Sequence, residues 1–221
     1  NLVGSTLFLF AVGILYGILG TLNMADLAVK VAASPDENVF LIRVAGFLLF
    51  GVFALKAALL PIHTWLPAAY AHTSAAVAAL FAIMTKVGAY CILRVYTLIF
   101  GEQAGPAANL IEGWLLPLAL ATLVVGMIGV VGSTYLRQQA AYLVVASIGS
   151  LLIAFSLKTS AGVVAGLYYL PHSTFAAAAF FLLADIITNR RGEIKDKFDP
   201  GPMIAHKRLL CVLFFVNQLL I

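Results

Sequence analysis

Polar residues in this chain gather in clusters, and between the clusters run apolar segments close to bilayer-spanning length. The runs cover Leu2 to about Leu22, Val39 to about Leu60, Ser74 to Phe100, Trp114 to Tyr135, Ala140 to Leu157 and Gly162 to Ile187. A seventh, Leu209 to Ile221, is too short to span. The clusters between them hold Asn23, Asp26, Lys30, Asp36 and Glu37, then an irregular stretch from Pro61 to His72. A short loop with Gly101, Glu102, Gly105 and Pro106 follows, and later the segment NRRGEIKDKFDPGP, residues 189–202. Nothing alternates with period two as a barrel strand would, and backbone groups in hydrocarbon must pair internally. The pattern therefore predicts an all-α polytopic membrane protein, a bundle of about seven membrane helices with one or more broken. Residues 1–221 read as a single transmembrane domain.

Composition agrees. The chain is 63% hydrophobic and only 10% charged, with a mean hydropathy of +1.06. A soluble domain would carry roughly 25% charged residues. Cys91 and Cys211 sit in apolar runs without metal-ligand or disulfide spacing, and are expected to serve as packing residues. The chain opens on Asn1 without a signal peptide and closes inside an apolar run at Ile221, so a longer parent protein is expected.

The net charge of +4 is concentrated near the C-terminus and speaks to orientation, not to nucleic acid. Arg190, Arg191, Lys195, Lys197, Lys207 and Arg208 lie in one connection and Arg137 in another. By the positive-inside rule both face the cytoplasm, and by alternation so does the stretch from Pro61 to His72. Lys30, Arg43 and Lys158 fall on the opposite side. Lipid or partner recognition by the basic run is the competing reading, and the topology signal is preferred.

Against this background the informative residues are Lys56, Lys86 and His172. Lys86 lies 12 residues into its run, about 18 Å deep; Lys56 lies 11 residues before Pro67, about 16 Å from that end; His172 lies 10 residues into its run, about 15 Å deep. All three fall near the midplane of a hydrocarbon core about 30 Å thick. Each central lysine costs about 2.5–3.5 kcal/mol on insertion scales. No carboxylate stands at that depth to pair with them. Either an amine sheds its proton, or an acid arrives from another segment, and both suit a proton relay. Arg94 and Asp185 lie near enough to an edge to snorkel.

The stretch FALKAALLPIHTWLP, residues 53–67, sharpens the case. Pro61 removes a backbone donor and is expected to displace the carbonyl of Ala57, and Pro67 to repeat the damage. A broken helix at membrane depth is tolerated only inside protein or beside water, and freed carbonyls can solvate an ammonium. A packing kink with a snorkelling lysine is the alternative.

Lys86, Tyr90, Arg94 and Thr97 share one helical face, either as part of a path or as a hydrogen-bonded seam. Tyr168, Tyr169 and His172 cluster beside Pro171, where a histidine is often only structural. Ser147, Ser150 and Thr122 could line a wet path, a weak signal because Ser and Thr are common in membrane helices. The small run Ala176 to Ala179 reads as packing. No metal or cofactor motif is present, and none is expected.

LKAALLPIHTWLPAAY (55–70) followed by ALFAIMTKVGAYCILRVYTLIFG (79–101) resembles the antiporter-like membrane subunits shared by the Mrp cation/proton antiporters and the proton-pumping arm of respiratory complex I. GTLNMADLAVKV (20–31) and LYYLPHSTFAAAAFFLLADII (167–187) narrow the resemblance to the D-type subunits of the Mrp (Pha/Mnh) antiporters. It implies a subunit of about fourteen helices, of which this chain matches the sixth to part of the twelfth. It also implies a proton relay through Lys56 on a broken helix, Lys86 and His172. A glutamate from a helix outside this chain would partner Lys56. Pro61, His63, Pro67, Tyr90, Arg94 and Tyr168 are candidates for the path or gate.

Complex I relatives carry a lysine four residues after the histidine, where this chain has Ala176, so the relay near His172 is expected to use water or other groups. The implied activity is that of a secondary transporter subunit, not an enzyme. It would exchange protons for a monovalent cation, expected to be sodium, within a hetero-oligomer in the cytoplasmic membrane. The rivals are a redox-coupled proton-pumping subunit of complex I or a membrane hydrogenase, and a non-transporting assembly subunit.

Overall fold

A computed structural model describes residues 2–200 and 206–220; residues 201–205, at the end of the basic connection, lie outside it, as do Asn1 and Ile221. Nine α-helices form among the described residues. They are α1 (Leu2–Leu19), α2 (Met24–Ala32), α3 (Asp36–Ala57), α4 (Trp65–His72), α5 (Ala75–Leu98), α6 (Glu112–Gly132), α7 (Leu136–Ser156), α8 (Ser160–Arg190) and α9 (Lys207–Leu220). Six are long and apolar enough to cross a membrane: α1, α3, α5, α6 (with the turn before it), α7 and α8. The chain is thus an all-helical, multi-pass membrane bundle. α9 extends about 21 Å over its 14 described residues.

Two connections carry more structure than their polarity predicts. The cluster after α1 contains α2, started by Asn23, whose side chain accepts from the Ala25 N–H at 3.0 Å. Lys30 closes a pair with Asp26 at 3.1 Å and also donates to the Leu19 carbonyl, binding α2 to the end of α1. Its hydrogen bond holds the exposed Asp26 carboxyl below the ordinary range. That support is present at neutral pH and fades as acid protonates the carboxyl. The second connection, from Pro61 to His72, is not irregular throughout, because α4 occupies its second half.

α7 is the centre of the bundle. Two thirds of it, 67%, is buried, against 17% of α1. It pairs with α6 through glycines that let backbones touch. A Cβ on Gly126 would lie 2.7 Å from the Ala146 nitrogen, and one on Gly149 2.6 Å from that of Leu123. Small residues at such seams maximise van der Waals contact where lipid supplies no hydrophobic drive between helices. Ala176 and Ala177 are buried, as their size suggested. Cys91 is half-buried, but Cys211 is exposed on α9, so the packing role expected of it is not filled here.

The basic connections meet at one end. The Leu136 N–H donates to the Asp196 carbonyl and the Phe198 N–H to that of Thr134, strapping the segment after α8 onto the α6–α7 turn. Arg137 pairs with Asp185 of α8 at 2.5 Å and donates to the Thr73 carbonyl just past α4. Arg137, the basic connection and the end of α4 therefore share a side, as alternation required.

Candidate functional site

The break below Lys56 is made by a left-handed alanine. Ala58 has φ +57°, a conformation that favours glycine, and ends α3 in a Schellman motif. The Leu59 N–H bonds to the Ala54 carbonyl at 2.9 Å and the Ala58 N–H to that of Leu55 at 3.2 Å. Pro61 therefore does not displace the Ala57 carbonyl, since the helix has already ended. Nor does Pro67 repeat any damage. It stands in the first turn of α4, where a backbone N–H would have no helical partner anyway. The prolines mark the break without opening it.

Two side chains hold the broken segment. Trp65 donates from Nε1 to the Leu55 carbonyl at 3.1 Å, joining the first residue of α4 to the last turn of α3. Thr122, buried in α6, accepts from the Leu60 N–H at 2.9 Å and donates to the Leu118 carbonyl at 2.7 Å. The sequence marks Thr122 only as a candidate path residue and Trp65 only as part of the motif at the break. Neither partner could be read from spacing, because each bond crosses between elements. Thr122→Val should leave the Leu60 N–H without its acceptor and cost about 1–3 kcal/mol, while Thr122→Ser keeps the bond. Thermal unfolding of the detergent-purified protein checks this, and equal melting of the two variants would remove the clamp.

Lys56 ends up in the last turn of α3, where the negative end of the helix dipole favours a cation. It is half-buried and lines a groove of about 510 Å³ between α1, α3 and α5, with Ser5, Phe8, Met84, Val87 and Cys91 on its walls. His63 stands in the break, and its Nδ1 is enclosed with no hydrogen-bond partner among the described residues.

Lys86 has no exposed surface at all, 0%, although it carries an amine. It leaves α5 toward α7, where its Nζ donates to Ser147 Oγ at 2.7 Å; that hydroxyl donates onward to the Val144 carbonyl at 2.8 Å. Two residues along α5, Gly88 meets the broken end of α3. A Cβ there would lie 2.7 Å from the Ala57 nitrogen and 3.0 Å from the Lys56 carbonyl carbon. The fold thus crosses the two lysine-bearing helices backbone to backbone, at Gly88 and the Lys56–Ala57 peptide.

The remaining candidates lie apart. His172 is exposed on α8, 6.3 Å from the Tyr169 ring between centroids. It lines a groove of about 460 Å³ with Ser150, Ala154, Ala165, Tyr168 and Tyr169. Pro171 does not interrupt α8, which runs unbroken to Arg190. Tyr90 and Arg94 are exposed on α5, so the face they share with Lys86 leaves the interior within one turn. No cluster of three or more His, Cys, Asp or Glu suited to a metal forms among the described residues.

Comparison with known proteins adds to this geometry. The family model described as "NADH:quinone oxidoreductase/Mrp antiporter, TM" matches residues 1–221. The D subunit of a probable K(+)/H(+) antiporter of Rhizobium meliloti is 40% identical over 191 residues, covering 86% of this chain and 35% of that protein. The D subunit of the Na(+)/H(+) antiporter of Bacillus subtilis is 36% identical over 220 residues, covering 99% of this chain and 43% of that protein. Among solved structures, the Mrp complex from Dietzia sp. DQ12-45-1b superposes with a TM-score of 0.79 at 32% identity, over 99% of this chain and 39% of the matched one. The chain spans roughly two fifths of the length of these relatives.

Proposed function

Because the chain belongs to the NADH:quinone oxidoreductase/Mrp antiporter transmembrane family, we propose that it forms the proton-handling core of a D-type subunit of a monovalent cation/proton antiporter. The observation that carries this reading is Lys86, an amine with no exposed surface inside a membrane bundle. Such a residue is costly to insert, and its use is to gain and lose a proton.

Lys56, Lys86 and His172 are the relay in this reading. When Lys56 is charged, the helix end beneath it and an acid seated in its groove from outside these residues stabilise the ammonium. Its loss of charge is felt at Lys86 across the Gly88 crossing, so the two amines alternate. His63, with its enclosed ring nitrogen in the break, and Pro61 and Pro67 border the approach from the basic, cytoplasmic side. Tyr90, Arg94 and Tyr168, on outer faces, meet neighbouring segments or subunits of the hetero-oligomer. Inward proton flow drives the cation outward. We take the cation to be sodium, following the relative that matches 99% of this chain, with potassium as the rival cation. The protein acts as a secondary transporter in the cytoplasmic membrane, not as an enzyme.

The test uses everted membrane vesicles bearing the complete complex and acidified inside. Added sodium should dissipate the pH gradient, and respiratory inhibitors acting after acidification should not prevent it. Lys56→Ala should lower the rate at least about tenfold while the complex still assembles. Wild-type rates in that variant would overturn the relay, and inhibitor-sensitive flux would move the chain to a redox-coupled complex.

A further inference from the structure

A gap separates Lys86 from His172. The lysine lies inside the bundle and the histidine on an outer groove of α8. α7 touches both sites: it presents Ser147 to the lysine and Ser150 to the groove. The two serines are three residues apart and so lie on adjoining turns of one helical face, about 5–6 Å apart at Cβ. Building on the antiporter reading, we propose that Ser147 and Ser150 are the hydroxyl step that carries a proton across α7 between Lys86 and His172.

The hydrogen bonds suit that task. Ser147 Oγ accepts from Lys86, and its own hydroxyl, which rests on the Val144 carbonyl, can rotate off that acceptor to release its proton toward Ser150. Ser150 Oγ holds the Ala146 carbonyl only loosely, at 3.4 Å, and can turn toward the groove. That groove, of about 460 Å³, is lined by Ser150 and His172 and has ample room for the water that would carry a proton from Ser150 to the imidazole.

The transfer balances. The Lys86 ammonium gives a proton to Ser147 Oγ while the Ser147 hydroxyl proton passes to water and on to Ser150. Ser150 releases its own proton through water to an imidazole nitrogen of His172. Lys86 ends neutral, His172 ends as imidazolium, and both serines end unchanged after their hydroxyls rotate back. Ala176, on the turn after His172, leaves no amine on α8 to do this instead.

The experiment compares Ser150→Ala, Ser150→Thr, Ser147→Ala and Lys86→Met in the complete complex, again in everted vesicles. Ser150 is half-buried on the groove wall and makes only a loose bond to the Ala146 carbonyl, so its variants keep the test sound even if Ser147→Ala fails to accumulate. Ser150→Ala should lower the maximal rate about fivefold or more, with the half-saturating sodium concentration unchanged, and Ser150→Thr should restore it. Assembly defects would instead reduce complex abundance, read on native gels. Wild-type rates in Ser150→Ala alongside a Lys86→Met variant that does not transport would overturn the hydroxyl step alone. Wild-type rates in Lys86→Met would overturn the antiporter relay beneath it.

Discussion

Gly88→Val is expected to abolish accumulation of the folded subunit, whereas Gly51→Ala on the crossing helix is expected to be silent. A side chain at residue 88 meets backbone, not a movable side chain. Its Cβ would stand 2.7 Å from the Ala57 nitrogen and 3.1 Å from the Ala57 Cα. Backbone cannot rotate away, so α3 and α5 must separate. Overpacking costs typically about 1–3 kcal/mol when side chains can shift, and a rigid obstacle takes the cost to the upper end or beyond. A Cβ on Gly51 meets nothing within 4 Å. If some protein survives, the two lysines will be displaced by an ångström or more, enough for about a hundredfold loss of rate. Detergent-resistant monodisperse protein at wild-type yield from Gly88→Val would show that the crossing is looser than the geometry requires.

Lys86→Met is expected to do the opposite: keep the fold and silence transport. Methionine is unbranched and similar in length, so it fills the same channel between α5 and α7. Ser147 keeps its bond to the Val144 carbonyl, so no buried hydroxyl proton is stranded. Removing a central lysine also removes an insertion cost of about 2.5–3.5 kcal/mol. The melting temperature should not fall, while sodium-dependent proton flux drops to background. A variant that both melts early and stops transporting would make Lys86 a structural residue. Flux at the parental rate would also exclude the relay, leaving an assembly role.

The two variants separate what the local pattern can convey from what it cannot. Lys86 stood out in the sequence because a charge in a long apolar run is anomalous whatever surrounds it. Gly88 did not, because glycine is common in membrane helices and the reason for this one lies on α3. The same holds for the break. Two prolines announced it, yet the residue that ends the helix is Ala58, whose side chain has no left-handed preference to betray it. The polar face from Lys86 to Arg94 was legible as periodicity, but the bundle buries Lys86 and leaves Arg94 exposed. Periodicity says which residues share a face and not how far along it a neighbour extends.

By itself the sequence determined the membrane class, the positions of the spans, the gathering of the basic connections at one end and the anomalous amines, because each follows from the cost of putting a given side chain in hydrocarbon. Only tertiary structure decided who meets whom. It brought Lys86 onto Ser147, Leu60 onto Thr122 and the end of α3 onto Gly88. It also left His172 on an outer groove of α8, away from the buried Lys86. Partners between helices are chosen by the close approach of small residues, and that information is spread over several segments instead of being held in any one.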